Sequence, residues 1–260
     1  MPRAAIIVVI GRTGVSRRLP PAAGWALALL VAAVFCGLGT WQLGRAKQKR
    51  AMLAQVAQVL HERQPRPLAD AAQHGHAQDF AWAAGAGRFA PGAAVLLDNQ
   101  THQGQAGVRA YRVFVPDAGG VPLLVDLGWQ PLDAQRRLPP VPALADTRRV
   151  AGLLAPPPSA GLLRAPAQAQ ANGDLLAVVL DPAALAAPLR QPALAPRVLK
   201  LDPALPIGFA RDLDVLPNTL PPERHLGYAV QWFGLALAVL ITAGVLTWRR
   251  RRAAREKMGA

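Results

Sequence analysis

Two long apolar runs stand near the two ends of the chain, and the stretch between them is broken into short ones. The first run, Gly24 to Leu43, has 20 residues and no charge, the length a helix needs to cross a hydrocarbon core of about 30 Å. Trp25 and Trp41 lie near its ends, where amphipathic rings favour the interface. Gly37 and Gly39 are small enough to let another helix approach closely. The run is too long for a signal-peptide core, and no A-x-A cleavage site follows it. The second run, Leu226 to Trp248, is also uncharged and stops at Arg249 to Arg252. Both are predicted to be transmembrane helices. Ala4 to Ile10 is apolar but too short to span; a start codon assigned too far upstream would account for it.

Gly44 to Arg63 continues the first helix, because Leu53, Val56, Val59 and Leu60 recur at three- and four-residue steps. Pro65 and Pro67 end it, and a loop rich in His and Ala follows, Ala71 to Asp79. Short strands are then predicted at Phe80–Phe89, Ala94–Asp98, Val108–Val115 and Val121–Trp129, and further runs at Arg149–Leu154, Leu175–Leu180 and Arg197–Leu201. The Asp117-Ala118-Gly119-Gly120 turn pairs the third and fourth strands as a hairpin. Asp181-Pro182 starts a short helix as N-cap and first-turn proline. The expected architecture is a membrane protein whose two transmembrane helices flank one mostly-β exported domain, a small barrel or sandwich. Its parts are an N-terminal tail (1–23), span one (24–43), the β domain (44–225), span two (226–248) and a basic tail (249–260).

Charge gives the orientation. The chain carries a net +14, unusual beside 52% hydrophobic residues. Four cations and no acid precede Gly24, and six cations with one acid follow Trp248. Charge concentrated in tails beside apolar spans suits the anionic cytoplasmic leaflet. Arg45, Lys47, Lys49 and Arg50 balance the N-terminal four, and the C-terminal cluster breaks the tie. Both termini are therefore expected in the cytoplasm and the middle domain outside it, in the periplasm of a bacterial inner membrane. Nucleic-acid binding calls for a basic stripe with interleaved aromatics on the folded domain, which the sequence lacks. Cys36, the single cysteine, lies in the first span and builds neither a disulfide nor a cysteine metal site.

The chain has no G-x-S-x-G, P-loop, H-E-x-x-H or dinucleotide fingerprint, and no enzymatic activity is expected. Gly85-Ala86-Gly87 reads as strand packing. His74 and His76 are two potential ligands without a third. His61 and His102 read as solvated. Asp98 and Asp126 could pair across a hairpin, but such acids more commonly meet Arg109 or Arg112. His225 differs, because it stands at the mouth of the second span. Tyr228, Ala229, Trp232 and Ala236 follow it at helical steps. An imidazole, aromatic rings and alanines could receive a flat apolar macrocycle with the imidazole on its metal. Trp41, Arg45 and Lys49 share a face of helix one at the same level, and Arg45 and Arg224 could hold anionic groups of that ligand. The plainer alternative is an interfacial histidine within an aromatic belt.

These segments resemble a known family. The first span closes Leu38-Gly39-Thr40-Trp41-Gln42-Leu43-Gly44-Arg45, and the second opens His225-Leu226-Gly227-Tyr228-Ala229-Val230-Gln231-Trp232-Phe233. Both are similar to motifs of the surfeit locus protein 1 family, assembly factors of haem–copper cytochrome oxidases. Gly87-Arg88-Phe89, the strand from Leu96 to Asn99, and Leu124 to Pro131 look like further landmarks in the same order. Leu127 stands where the family usually has Arg, and Leu220 to Arg224 replaces an Asn-rich run. The resemblance implies an assembly factor that helps deliver or retain haem a, bound transiently, during maturation of cytochrome c oxidase subunit I. Haem A synthase would be a further partner, alongside the lipid bilayer. The implied iron ligand is His225, with Tyr228, Trp232, Trp41, Arg45 and Arg224 around the group. The competing expectation is a membrane chaperone for oxidase subunits that binds no haem.

Overall fold

The computed structural model describes residues 20–159, 165–216 and 219–259. The N-terminal cations Arg3, Arg12, Arg17 and Arg18 and the run Ala4 to Ile10 lie outside the described residues. The chain divides into two compact units, one formed by the segments up to Ala46 and from Glu223 onward, the other by Lys47–Pro222.

The first unit is a pair of helices, α1 (Pro21–Glu62) and the chain's last helix, α3 (Pro222–Met258), each containing a segment long and apolar enough to cross a membrane. α1 extends past the unit boundary without a break, as the spacing of Val56, Val59 and Leu60 predicts, and ends before Pro65. α3 continues through Arg249–Arg252 to Met258, so the cations bound the apolar span and not the helix. The helices run antiparallel. Trp25 Nε1 donates to Thr247 Oγ1 at 3.0 Å at one end, and the Phe35 and Trp232 rings lie 5.5 Å apart further along. On α1 the packed positions include Ala28, Ala32, Phe35, Gly39, Gln42 and Ala46, spaced four and three residues apart. On α3 they include His225, Ala229, Trp232 and Ala236. That spacing is the seam of a left-handed pair, and small residues let the backbones approach. Gly39 marks a close approach, since a Cβ there would stand 2.7 Å from the Phe233 ring. The other faces are apolar and exposed, as Leu30, Val230 and Leu237 illustrate, which suits contact with lipid.

The second unit is built on β1 (Ala81–Phe89), β2 (Val95–His102), β3 (Gln105–Pro116), β4 (Leu123–Pro131), β5 (Arg149–Ala155), β6 (Gln168–Ala169), β7 (Leu175–Ala177) and β8 (Val198–Leu201). Five of them close on themselves in the order β1-β5-β8-β4-β3-β1, a five-stranded barrel, and β2, β7 and β6 extend the sheet beyond β3. The sequence left barrel or sandwich open; the β1–β3 pairing decides for a barrel. It occupies only three residue pairs, Gly87↔Pro116 to Phe89↔Phe114. Gly87 makes that closure possible, because a Cβ would meet the Val115 carbonyl oxygen at 2.3 Å. The expected hairpin is present as β3 and β4, paired from Phe114↔Leu123 outward. The short helix α2 (Pro182–Leu185) begins as its cap predicts, with Asp181 accepting from the backbone of Ala183 and Ala184. The expected loop from Ala71 to Asp79 is instead partly ordered as two 3₁₀ turns, Leu68–Ala72 and His74–His76.

Inside the barrel lie Leu96, Val108, Phe114, Leu123, Val125, Leu127, Leu154, Leu199 and Leu201, among others. Two further apolar clusters cover its outer side. One joins Val95, Tyr111, Val113 and Leu124 to Leu180, Leu185 and Leu189 around α2. The other packs Phe80, Leu153 and Ala155 against Val56 and its neighbours on the C-terminal stretch of α1.

Candidate functional site

His225 sits in the seam of the helix pair, 7% exposed. Its Nδ1 lies 2.7 Å from Gln42 Oε1. Because an amide oxygen only accepts, that contact is a hydrogen bond when Nδ1 carries the proton. In the sequence Gln42 is part of the first motif and carries no role of its own. Its signal was positional: it falls three residues after Gly39 and four before Ala46, in phase with the small residues of the seam.

The other expected site residues divide into two groups. Trp232 is also in the seam, but it packs against Phe35, seven residues or about 10 Å along the helix from His225. Tyr228 is 38% exposed and does not share the packed face with His225 and Ala229. It precedes Ala229 by one residue, as Arg224 precedes His225, Trp41 precedes Gln42 and Arg45 precedes Ala46. In an antiparallel pair, positions one residue before the seam on both helices fall on the same flank, because each helix turns by about 100° per residue. Trp41, Arg45, Arg224 and Tyr228 therefore line one flank beside the His225–Gln42 contact. All four are exposed, Trp41 to 57%. Lys49, expected on that face, donates to the Leu220 carbonyl.

The remaining sequence candidates find ordinary partners. His76 meets Asp79 at 2.6 Å. His102 is not simply solvated: its ring lies 5.3 Å from that of Trp129, with Asp212 at 3.4 Å. Asp98 binds Arg136 through both oxygens, at 2.9 and 3.0 Å. Arg112 donates to the carbonyls of Gly92 and Val141 and not to an acid.

Asp126 does meet Arg109, at 2.9 Å, with both side chains buried. Tyr111, Asp126 and Lys200 are cross-strand neighbours on β3, β4 and β8, so they point to one side of the sheet. The other Asp126 oxygen accepts from the Gly128 N–H at 3.0 Å. Gly128 reaches that position by a bulge between Ala110 and Tyr111 and a φ of 113°. A Cβ there would stand 2.7 Å from the Ala210 carbonyl oxygen. Lys200 Nζ is 3.8 Å from Asp126 and donates to the Asp214 carbonyl at 2.7 Å. Burial pulls the Arg109 guanidinium down, but Asp126, with Tyr111 and Asp212, more than offsets it and holds the charge above its ordinary range. Burial pushes the Tyr111 phenol well up, and Asp126 adds to the effect. Burial pulls Lys200 down, with Asp126 offsetting only part. Lys200 went unnoticed in the sequence because it interrupts an apolar run by a single residue.

The helix-pair site has the chemical complement an amphipathic, carboxylate-bearing macrocycle would need: an imidazole, two guanidinium groups and two exposed rings on one flank. In kind the donors fit. In placement the flank is open, and the imidazole lies behind it in the seam. No curated protein matches the chain. Residues 29–237 match the model of the SURF1 family, a span that takes in both membrane motifs and the whole barrel.

Proposed function

The chain belongs to the SURF1 family, which is associated with cytochrome oxidase assembly, and on that premise we propose that it handles haem a during maturation of oxidase subunit I. The observation that carries this reading is the placement of Trp41, Arg45, Arg224 and Tyr228 on one flank beside His225. His225 would supply a nitrogen to the iron, Arg45 and Arg224 would meet the carboxylates, and Trp41 and Tyr228 would cover the ring edge. Haem a, when bound, would supply an iron that accepts the imidazole and two carboxylates for the guanidinium groups. Gln42 would hold the imidazole ring in orientation, as partners of ligating histidines generally do. Trp232 belongs to the packing below the site and would act on helix spacing.

The test compares cells carrying wild type, His225→Ala or Arg45→Ala at equal membrane levels. The reading expects haem a in subunit I to fall strongly with His225→Ala and modestly with Arg45→Ala. Unchanged haem a with His225→Ala would end it. A second reading is favoured by one observation, the burial of His225 against Gln42: the chain then acts as a membrane chaperone for oxidase subunits, and His225 is a helix-packing residue. Under that reading His225→Ala lowers the amount of the chain itself, and subunit haem falls only in proportion.

The orientation of the chain is part of the proposal. The antiparallel helix pair supports both tails on one side, and the C-terminal cations favour the cytoplasmic side, leaving the barrel in the periplasm. A phosphatase reporter after Ala260 should be silent and one inserted near His74 active; the reverse would overturn this orientation.

A further inference from the structure

A cavity of about 670 Å³ opens on the outer side of the barrel, between the two apolar clusters that cover it. Its size lies within the range of small-molecule pockets, about 300–1,000 Å³. Tyr111, Asp126 and Lys200 form part of its lining, and the apolar side is given by Phe80, Val178 and Val198, among others. Met52, on the C-terminal stretch of α1, is also part of the lining.

The polar part of the lining is unequally satisfied. Both Asp126 oxygens are engaged, by Arg109 and by the Gly128 N–H. Asp98, also in the lining, is held through both oxygens by Arg136. Asp214 accepts from the Leu216 N–H and gives its carbonyl to Lys200. The Tyr111 hydroxyl is different. Its residue is fully buried, yet the oxygen has no hydrogen-bond partner among the described residues. A buried hydroxyl without a partner costs stability that a ligand acceptor would restore. The three carboxylates of the lining (Asp98, Asp126, Asp214) stand among the cations Arg109, Arg136 and Lys200, with Asp212 a further acid 4.0 Å from Arg109. An anion would meet the three acids in the lining, and a cation would meet Lys200 with Arg109 behind it.

We propose that this cavity binds a neutral, largely apolar small molecule carrying a carbonyl oxygen, which accepts a hydrogen bond from Tyr111 with Lys200 as the adjoining donor. The hydroxyl stays protonated throughout the neutral range and so remains a donor. This proposal stands apart from the helix-pair site and does not depend on haem binding.

The probe is Prodan, an uncharged naphthyl ketone whose emission reports polarity and hydrogen bonding to its carbonyl. It is titrated into the full chain in detergent, against the same micelles containing Val178→Trp, which puts an indole into the lining, or Tyr111→Phe, which removes only the hydroxyl. Circular dichroism establishes that both variants keep the fold. The expected result is a saturable component in wild type that Val178→Trp weakens. Tyr111→Phe should weaken it by about twofold to tenfold, the worth of one neutral hydrogen bond, and shift the emission to the blue. Superimposable titrations of wild type and Val178→Trp would show partition into micelles only and overturn the site. Unchanged affinity and emission in Tyr111→Phe would overturn the assigned recognition.

Discussion

Replacing Asp126 by Ala should be among the most damaging single changes in the barrel. The carboxylate is 3% exposed and holds Arg109 Nη1 at 2.9 Å and the Gly128 N–H at 3.0 Å. Its removal leaves two buried cations, Arg109 and Lys200, without their shared anion. Breaking a buried ion pair from one side costs about 3–5 kcal/mol, and an orphaned N–H costs about 1–3 kcal/mol. Asp212, 4.0 Å from Arg109, offers partial relief, so the net loss should be about 4–6 kcal/mol. That is a large part of the ~5–15 kcal/mol that holds a domain together. Arg109→Ala should cost less, about 2–3 kcal/mol, because Asp126 keeps the Gly128 N–H and can draw Lys200 closer from 3.8 Å. Asp126→Asn should fall between them, since it keeps an acceptor for Gly128 but loses the charge. The assay is urea unfolding of the full chain in detergent, followed by tryptophan fluorescence, to which Trp82 and Trp129 contribute from the buried part of the barrel unit. The reasoning fails if Arg109→Ala proves more damaging than Asp126→Ala, or if Asp126→Ala costs under about 1 kcal/mol, below the range expected for a lost buried pair.

Two further predictions concern the helix seam and pH. Gly39→Leu should lower the thermal midpoint of the full chain by forcing its side chain into the Phe233 ring, and Phe233→Ala should relieve it in the double variant; additive effects would place Gly39 outside the tight contact. Lys200, faced by Asp126, Arg109, Asp212 and Asp214, has its folded-state pKa lowered by burial, so the unfolded chain binds more protons below about pH 10.5. Its contribution therefore destabilises at neutral pH and is relieved as pH rises toward that value, whereas Tyr111, shifted upward, acts in the opposite sense only above about pH 10. Lys200→Met should flatten the alkaline rise in the unfolding midpoint measured from pH 7 to 10, and an unchanged slope would refute the assignment.

Much of the fold was legible because its signals are local. The two charge-free runs, the phase of Val56, Val59 and Leu60 behind the first of them, and the turn at Asp117–Gly120 each specify an element without reference to the rest of the chain. Barrel closure was not, since it depends on three residue pairs of β1 with the far end of β3, a meeting that alternation along either strand leaves open. The buried polar row escaped for a related reason. Asp126 and Arg109 could be suspected as a pair, but Lys200 arrives from a strand more than seventy residues away in the chain. In the helix pair, the level of His225 and the cations was readable from span boundaries. The exclusion of Tyr228 from the packed face was not, because a residue three positions from His225 is still near enough in angle to be counted with it. The seam shows which positions α1 covers, and that also reveals Gln42.

Haem binding at His225 is tested most directly by the absorption spectrum of the purified full chain from cells that make haem a, wild type against His225→Ala at equal protein. The His225 imidazole would supply the directional bond to iron at this site. Haem handling through His225 predicts a Soret band in the wild type and its strong loss in His225→Ala, with the variant still inserted in the membrane at normal levels. The same Soret band in both proteins, or none in either, would contradict it.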